Sequence, residues 1–153
     1  MPPLTRTSTV TLRDVTADNV RPVMDLEVAE NQGHLVAPNA WSIAEHAYAT
    51  DAWLQAVYAD EAPVGLVLLS ERRATPRFYL WRFMIDHRHQ GLGFGATAMQ
   101  LVFKRVRSFP EGRELFLTYV PGDRSPRDFY AGLGFAETGV IRDGEVEMRI
   151  DLS

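Results

Sequence analysis

Arg77-Phe-Tyr-Leu-Trp-Arg-Phe-Met-Ile-Asp86 runs straight into His87-Arg-His-Gln90-Gly-Leu-Gly93-Phe-Gly95-Ala96, and this stretch decides the fold. Its first half is nearly continuous apolar and aromatic sequence, as expected of a central strand covered on both faces. Its second half is a glycine turn. Leu92, Ala96, Met99, Val102, Phe103 and Val106 then recur at spacings of three and four, which make one apolar helix face, and the helix reads to about residue 109. Strand, glycine loop and helix in that order gather small-residue amides and a helix N-terminus around one point, which suits an anionic oxygen.

Downstream, residues 115–120 read as another buried strand, and Ser125-Pro-Arg-Asp128 opens a short helix that Gly132 or Gly134 ends. Asp143-Gly144 is a hairpin signal between two closing strands, the last covering residues 146–152. Upstream, residues 53–59 and 64–70 are apolar strands flanking the hairpin turn Asp60-Glu-Ala-Pro63. Residues 9–15 alternate β-branched and polar side chains and read as the first strand. Asp18 or Asn19 can cap a helix running to about Glu30, with Pro22 in its first turn, where the missing amide proton is harmless. Residues 31–40 read as a loop, and Ser42-Ile-Ala-Glu45 fits a capping box that opens a second helix ending near Thr50. The order β, α, α, three strands, α, β, α, two strands is that of an α+β layer protein with a mixed sheet.

The 153 residues, 46% of them hydrophobic, suffice for one domain, expected to span residues 1–153. With no cysteine, disulfides, thiolate metal sites and a cysteine nucleophile are excluded, and no metal is expected. The longest apolar stretch, residues 62–69, is broken by Pro63 and Gly65 and is far short of the roughly 20 residues that span a bilayer, so a soluble chain without a membrane partner is expected. The N-terminus has no apolar h-region, which leaves the cytoplasm as the expected compartment. A sequence pI near 5.5 disfavours nucleic acid as a partner, since no basic stripe can release counterions. The net charge of −4 hides an asymmetry: residues 1–71 carry ten acids and three arginines, a net of −7, and residues 72–153 carry ten acids against thirteen Arg and Lys, a net of +3. A cationic ligand suits the first part, an anionic one the second.

Taken alone, the glycine string also satisfies the dinucleotide pattern Gly-x-Gly-x-x-Gly or Ala, with Glu114 near the expected acidic position. Context argues against it. A dinucleotide fold opens with its glycine loop, whereas here a hairpin precedes the loop and only 57 residues follow Ala96. The nucleoside-triphosphate loop needs Gly-Lys-Ser or Gly-Lys-Thr, which the chain lacks. Gln90-x-x-Gly93-x-Gly95 between strand and helix, then a strand, then Phe129-Tyr130 and Gly132-Leu-Gly-Phe135 about 34 residues on, resembles the GNAT family of N-acetyltransferases from Val10 onward. Within it, Glu30-Asn-Gln32, Arg82-Phe-Met-Ile-Asp86 and Gly144-Glu-Val-x-Met148 look most like the bacterial spermine and spermidine acetyltransferases.

The resemblance implies a mostly antiparallel central sheet flanked by helices, in which two parallel central strands, residues 77–86 and 115–120, splay apart to admit acetyl-coenzyme A. The backbone of Phe83, Met84 and Ile85 would pair with the pantetheine arm like an added strand. Main-chain amides of Gln90, Gly91, Leu92, Gly93, Phe94, Gly95 and Ala96 would hold the pyrophosphate, with Arg88, Arg124 and Arg127 as candidates for the outer phosphates. Many relatives have asparagine seven residues before the tyrosine; here Asp123 stands there, and it is expected to cap the following helix together with Ser125. Tyr130 would contact the cofactor and serve the leaving thiolate, since Phe129 and Leu133 share a buried face and turn it about 100° toward the cleft. A phenol near pKa 10 donating to a thiolate near 8.5 is uphill by about 1.5 units, roughly 2 kcal/mol, so a hydrogen bond serves as well as full proton transfer.

An amine must be neutral to attack, and alkyl amines resemble lysine, with a pKa of about 10.4. His34 and His46 fall in an early loop and helix, and His87 and His89 read as surface residues beside the glycine loop, so carboxylates acting through water are the better bases. Glu27 and Glu30 would line the acceptor side, with Glu30 the catalytic candidate. A strand amide near Met84 or Ile85 would meet the oxyanion. The resemblance thus implies acetyl transfer to a small cationic amine such as spermine or spermidine, by direct attack in a ternary complex of a homodimeric enzyme. A protein amine as acceptor, or a sensor that binds acyl-coenzyme A without turnover, are the alternatives. Residues 31–40 and 72–76 would shape the acceptor pocket.

Overall fold

A computed structural model describes residues 2–28, 37–72 and 77–153. The elements are β1 (Val10–Asp14), α1 (Val20–Asp25), α2 (Asn39–Tyr48), β2 (Ala52–Ala59), β3 (Ala62–Arg72), β4 (Arg77–Ile85), α3 (Phe94–Arg107), β5 (Glu114–Tyr119), α4 (Arg127–Leu133), β6 (Ala136–Arg142) and β7 (Glu145–Asp151). Their order is the expected one. The strands form one seven-stranded sheet, β1-β2-β3-β4-β5-β7-β6, in which β4 and β5 are the parallel pair and all other neighbours are antiparallel. Among the described residues no helix is long and apolar enough to cross a membrane.

Each face of the sheet carries its own core. On one face α3 buries Phe94, Ala98, Met99, Val102, Phe103 and Val106 against Val67, Leu69, Phe78, Leu115 and Leu117. On the other, Val23 and Leu26 pack on Ala56, Leu66, Leu68 and Met84. Each of the larger side chains, from valine to phenylalanine, contributes roughly 1.5–3 kcal/mol by leaving water. The face of α3 differs from the expected one at its start, because left-handed Gly93 (φ +84°) ends the loop and the helix begins at Phe94. Leu92 therefore precedes the helix and Ala96 points outward.

β4 carries an irregularity that matters for the site. Leu68 pairs with Arg82 but Leu69 pairs with Leu80, so Trp81 is an extra residue. Such a bulge reverses the face that later residues take. Before it, Phe78 and Leu80 pack on the α3 side; after it, Ile85 does, while Met84 turns to the α1 side.

Helix ends depart from the sequence reading. α1 stops at Asp25 rather than near Glu30, and Asn19 does not cap it with its side chain. That side chain accepts from the Thr16 amide and donates to the Asp14 carbonyl and the Tyr58 hydroxyl, tying the turn to β2. α2 begins at Asn39, directly after Pro38, so Ser42 lies inside the helix and is buried instead of opening a capping box. Asn39, expected in a loop, is buried and donates to the Val23 carbonyl at 2.8 Å, which draws the helix start onto α1. At α4 Pro126 holds the N-cap position with no side-chain cap bond, so neither Asp123 nor Ser125 caps it. Gly134 ends α4 in the left-handed region, φ +111°. Asp143 (φ +52°) and Gly144 (φ +79°) make the expected tight turn between β6 and β7.

Candidate active site

β4 and β5 pair only at Phe78 with Leu115 and Tyr79 with Phe116. Beyond that point β4 stays with β3 as far as Ile85, and β5 stays with β7 as far as Tyr119. The two parallel strands are therefore held apart by their outer partners, and the bulge at Trp81 lies at the parting. A cavity of about 1190 Å³ opens there, walled by β4 from Tyr79 to Ile85 and by Leu117, Thr118, Tyr119 and Val120. On its β5 side the β4 backbone around Phe83, Met84 and Ile85 has no strand partner, and buried peptide groups require one.

The glycine loop closes one end of this cavity. Gln90 bends back so that its Nε2 donates to the Ile85 carbonyl at 2.9 Å. Gly91 and Gly93 are left-handed, and an added Cβ at either would meet nothing within 4 Å, so the turn is open rather than packed for tightness. No side chain caps α3, whose first amides have no partner within the helix. Gln90, Gly91, Gly93, Phe94, Gly95 and Ala96 line the cavity; Leu92 is turned inward onto the core.

α4 forms the adjoining wall. Tyr130 is 7% exposed, lines the cavity, and lies edge-on to Phe129 (5.2 Å) and Phe135 (5.6 Å). Phe129 is 37% exposed and stacks on Phe83 at 6.2 Å. The buried member of this helix is thus the tyrosine, the reverse of the face expected from Phe129 and Leu133, because the cavity wall is itself shielded from water. Burial pushes the Tyr130 phenol above its ordinary value of 10. Among the described residues its hydroxyl has no hydrogen-bond partner. A splayed strand pair, an open glycine turn at an uncapped helix and a buried phenol thus lie along one cavity. The sequence model of the acetyltransferase (GNAT) family matches residues 20–135.

The chain belongs to the GNAT acetyltransferase family.

The fold of the acetyltransferase is similar to that of a domain from Methanocaldococcus jannaschii (TM-score 0.77, 15% identity, 94% of this chain and 99% of that one). It is also similar to the PaiA N-acetyltransferase of Thermoplasma acidophilum in complex with coenzyme A (TM-score 0.70, 13% identity, 94% and 99%). A third is spermidine N-acetyltransferase of Vibrio cholerae in complex with coenzyme A and spermine (TM-score 0.71, 20% identity, 94% and 95%). No curated protein sequence matches. As a family member the acetyltransferase takes acetyl-coenzyme A as co-substrate, and the gap, the unpaired β4 backbone and the open turn fit such a molecule.

The charged candidates divide. Arg124 lines the cavity of the acetyltransferase. Arg127 is engaged by Glu137 (2.9 Å) and Asp128 (3.2 Å), and Asp123 is exposed off the cavity. Arg88 does not reach the cavity: its Nε (2.8 Å) and Nη2 (3.2 Å) are held by Asp86, which is fully buried and also accepts from the Glu27 and Arg88 amides. The His87 amide in turn donates to the Glu27 carbonyl. Glu27 thus meets the glycine loop through its backbone while its side chain is exposed and off the cavity wall; Val28 lines it instead. Glu30, and with it residues 29–36 and 73–76 of the expected acceptor loops, lie outside the described residues.

The sequence reading gives no role to three polar wall residues that bond to one another. Tyr79 on β4, Thr118 on β5 and Glu145 on β7 all line the cavity of the acetyltransferase and lie in hydrogen-bond succession. Gly144-Glu-Val-x-Met148 carried the only signal, and it pointed to a subfamily rather than to a role.

Proposed function

We propose that this N-acetyltransferase transfers the acetyl group of acetyl-coenzyme A to a primary amine of a small cationic acceptor, such as spermine, spermidine or another diamine. The observation that carries this reading is the single cavity that runs from the glycine loop, past Tyr130, to the carboxylate of Glu145. One end suits phosphate and the other suits a cation. The net charge of −7 over residues 1–71, from which the α1–α2 side of the cleft is built, favours a cation there. Similarity in fold to a spermidine N-acetyltransferase in complex with spermine supports the same class.

In this reading residues 1–153 act as one domain. The backbone of Phe83, Met84 and Ile85 aligns the pantetheine arm, and the amides from Gln90 to Ala96 hold the pyrophosphate at the positive end of α3. Bound in this way, acetyl-coenzyme A presents an activated thioester to an amine arriving from the opposite side. An amide of Met84 or Ile85 polarises the carbonyl. The amine nitrogen attacks directly, the carbon–sulfur bond breaks, and Tyr130 donates a hydrogen bond to the leaving sulfur. With its phenol raised by burial, Tyr130 holds its proton rather than surrendering it, which favours the hydrogen bond over proton transfer. Glu27 and Glu30, three residues apart in the sequence, would attract the acceptor's charge.

Thiol release from acetyl-coenzyme A, measured across spermine, spermidine, short diamines and a lysine peptide, tests the proposal. Saturable turnover of polyamines well above that of the peptide is expected. Turnover confined to the peptide, or tight coenzyme binding with no turnover of any amine, overturns it.

A further inference from the structure

The cleft must also dispose of protons. An alkyl amine arrives as an ammonium at neutral pH, and after attack its nitrogen still carries a proton to lose. Among the described residues Glu27 is off the wall, and the lining histidine, His89, belongs to the turn at the phosphate end. What the acceptor end of the wall offers is a row of hydroxyls ending in a carboxylate.

We propose that Tyr79, Thr118 and Glu145 form the route by which the acceptor nitrogen loses its protons to water. Tyr79 Oη and Thr118 Oγ1 are 2.8 Å apart across the parting of β4 and β5, and Thr118 Oγ1 lies 3.4 Å from Glu145 Oε1. Either hydroxyl of the Tyr79–Thr118 pair can donate; with threonine's one proton turned to the Glu145 carboxylate, Tyr79 donates to threonine. The lone pairs of the Tyr79 oxygen are left for a donor from the cavity, and an ammonium is such a donor. Glu145 is exposed, so the far end of the row meets solvent.

The transfer balances. As the nitrogen–carbon bond forms and the carbon–sulfur bond breaks, the sulfur departs with the bonding pair. The ammonium loses two protons, one before its nitrogen can attack and one after the nitrogen–carbon bond has formed; each passes to the Tyr79 oxygen as Tyr79 passes its own to Thr118 and Thr118 its own to Glu145, which releases it to water before the next. Neither hydroxyl changes charge overall. The surrounding charges are Arg77 and Arg82 on β4, Arg142 paired in register with Glu145 on β6, and Glu147 and Arg149 on β7. Arg77 is bound by Glu147 at 2.7 Å and Arg82 by Glu45 at 3.3 Å. The proposal rests on amine acetylation but not on which amine is accepted, so it is tested on whatever amine the wild-type enzyme turns over, peptide or polyamine.

Tyr79→Phe, Thr118→Val and Glu145→Gln should each lower kcat/KM for the amine by about tenfold to a hundredfold at pH 7. The coenzyme A dissociation constant, read by calorimetry, should stay within about twofold. The deficit should shrink as pH approaches about 10, where the amine arrives neutral and has less need of the route. Thr118→Ser and Glu145→Asp should recover part of the rate. A Tyr79→Phe enzyme that binds coenzyme A normally and matches wild type across this pH range overturns the proposal. So does a deficit of constant size at every pH, which marks a packing role.

Discussion

Asp86→Asn removes a charge at the junction of β4 and the glycine loop while keeping the shape. The carboxylate is 0% exposed and accepts four hydrogen bonds, from the amides of Glu27 and Arg88 at 3.0 Å each and from Arg88 Nε at 2.8 Å and Nη2 at 3.2 Å. Burial pushes its pKa up, but the Arg88 guanidinium, the two amides and the Arg88 charge together outweigh it and hold the group at about 2, against an ordinary 3.8. That difference of about 1.8 units corresponds to about 2.5 kcal/mol of folding stability at neutral pH. Because the folded value is the lower one, the contribution is whole above about pH 5, roughly halved at pH 3, and lost as pH falls past 2. Asparagine would turn an amide toward groups that are all donors, so a loss of about 2–3 kcal/mol is expected, or roughly 5–10 °C in Tm for a chain of this size. Urea unfolding of both proteins at pH 7 and in steps down to pH 3 measures it, and the gap should narrow with acid, since only the wild type loses this contribution. A gap under about 0.5 kcal/mol at pH 7, or one that does not change with pH, refutes the reasoning.

Tyr130→Phe keeps both ring contacts and removes a hydroxyl without a protein partner, so kcat should fall about tenfold to a hundredfold in a thiol-release assay while Tm holds within about 2 °C. Gly93→Ala has space for its Cβ but not the backbone freedom, since φ is +84°. It should cost about 1–2 kcal/mol in chemical denaturation and weaken coenzyme A binding measured by calorimetry. Gly65→Ala would place a Cβ 2.3 Å from the Met84 carbonyl oxygen, forcing β3 from β4 beside the cleft, and should lower Tm by more than Gly93→Ala does. Arg124→Ala should raise the coenzyme A dissociation constant more than Arg127→Ala, because Arg124 lines the cavity whereas Arg127 is tied to Glu137; an equal or reversed ranking refutes this.

Much of the architecture was readable in the chain because its signals are local. Residues 77–86 could be buried on both faces only as a central strand, and the spacing of Met99, Val102, Phe103 and Val106 admits one helix face. Gly91 and Gly93 are in the left-handed region that glycine adopts without penalty. Helix starts were harder to read. Asn19 and Asn39 are the side chains that capping rules favour, but folding spends their hydrogen bonds on Tyr58 and Val23, contacts between separate elements.

The site divides along the same line. Sequence alone determined that a glycine turn at residues 90–96 opens α3 and that a tyrosine lies on α4, because a glycine turn and a helix declare themselves within a few residues. Tertiary structure decided that Tyr130 rather than Phe129 is buried, that Arg88 turns to Asp86, and that Glu27 stays off the cavity. It also brought Tyr79, Thr118 and Glu145 together from 39 and 27 residues apart. Strand order, register and the single extra residue at Trp81 set those meetings, and each depends on pairing partners distant in the chain, which no local pattern of residues encodes.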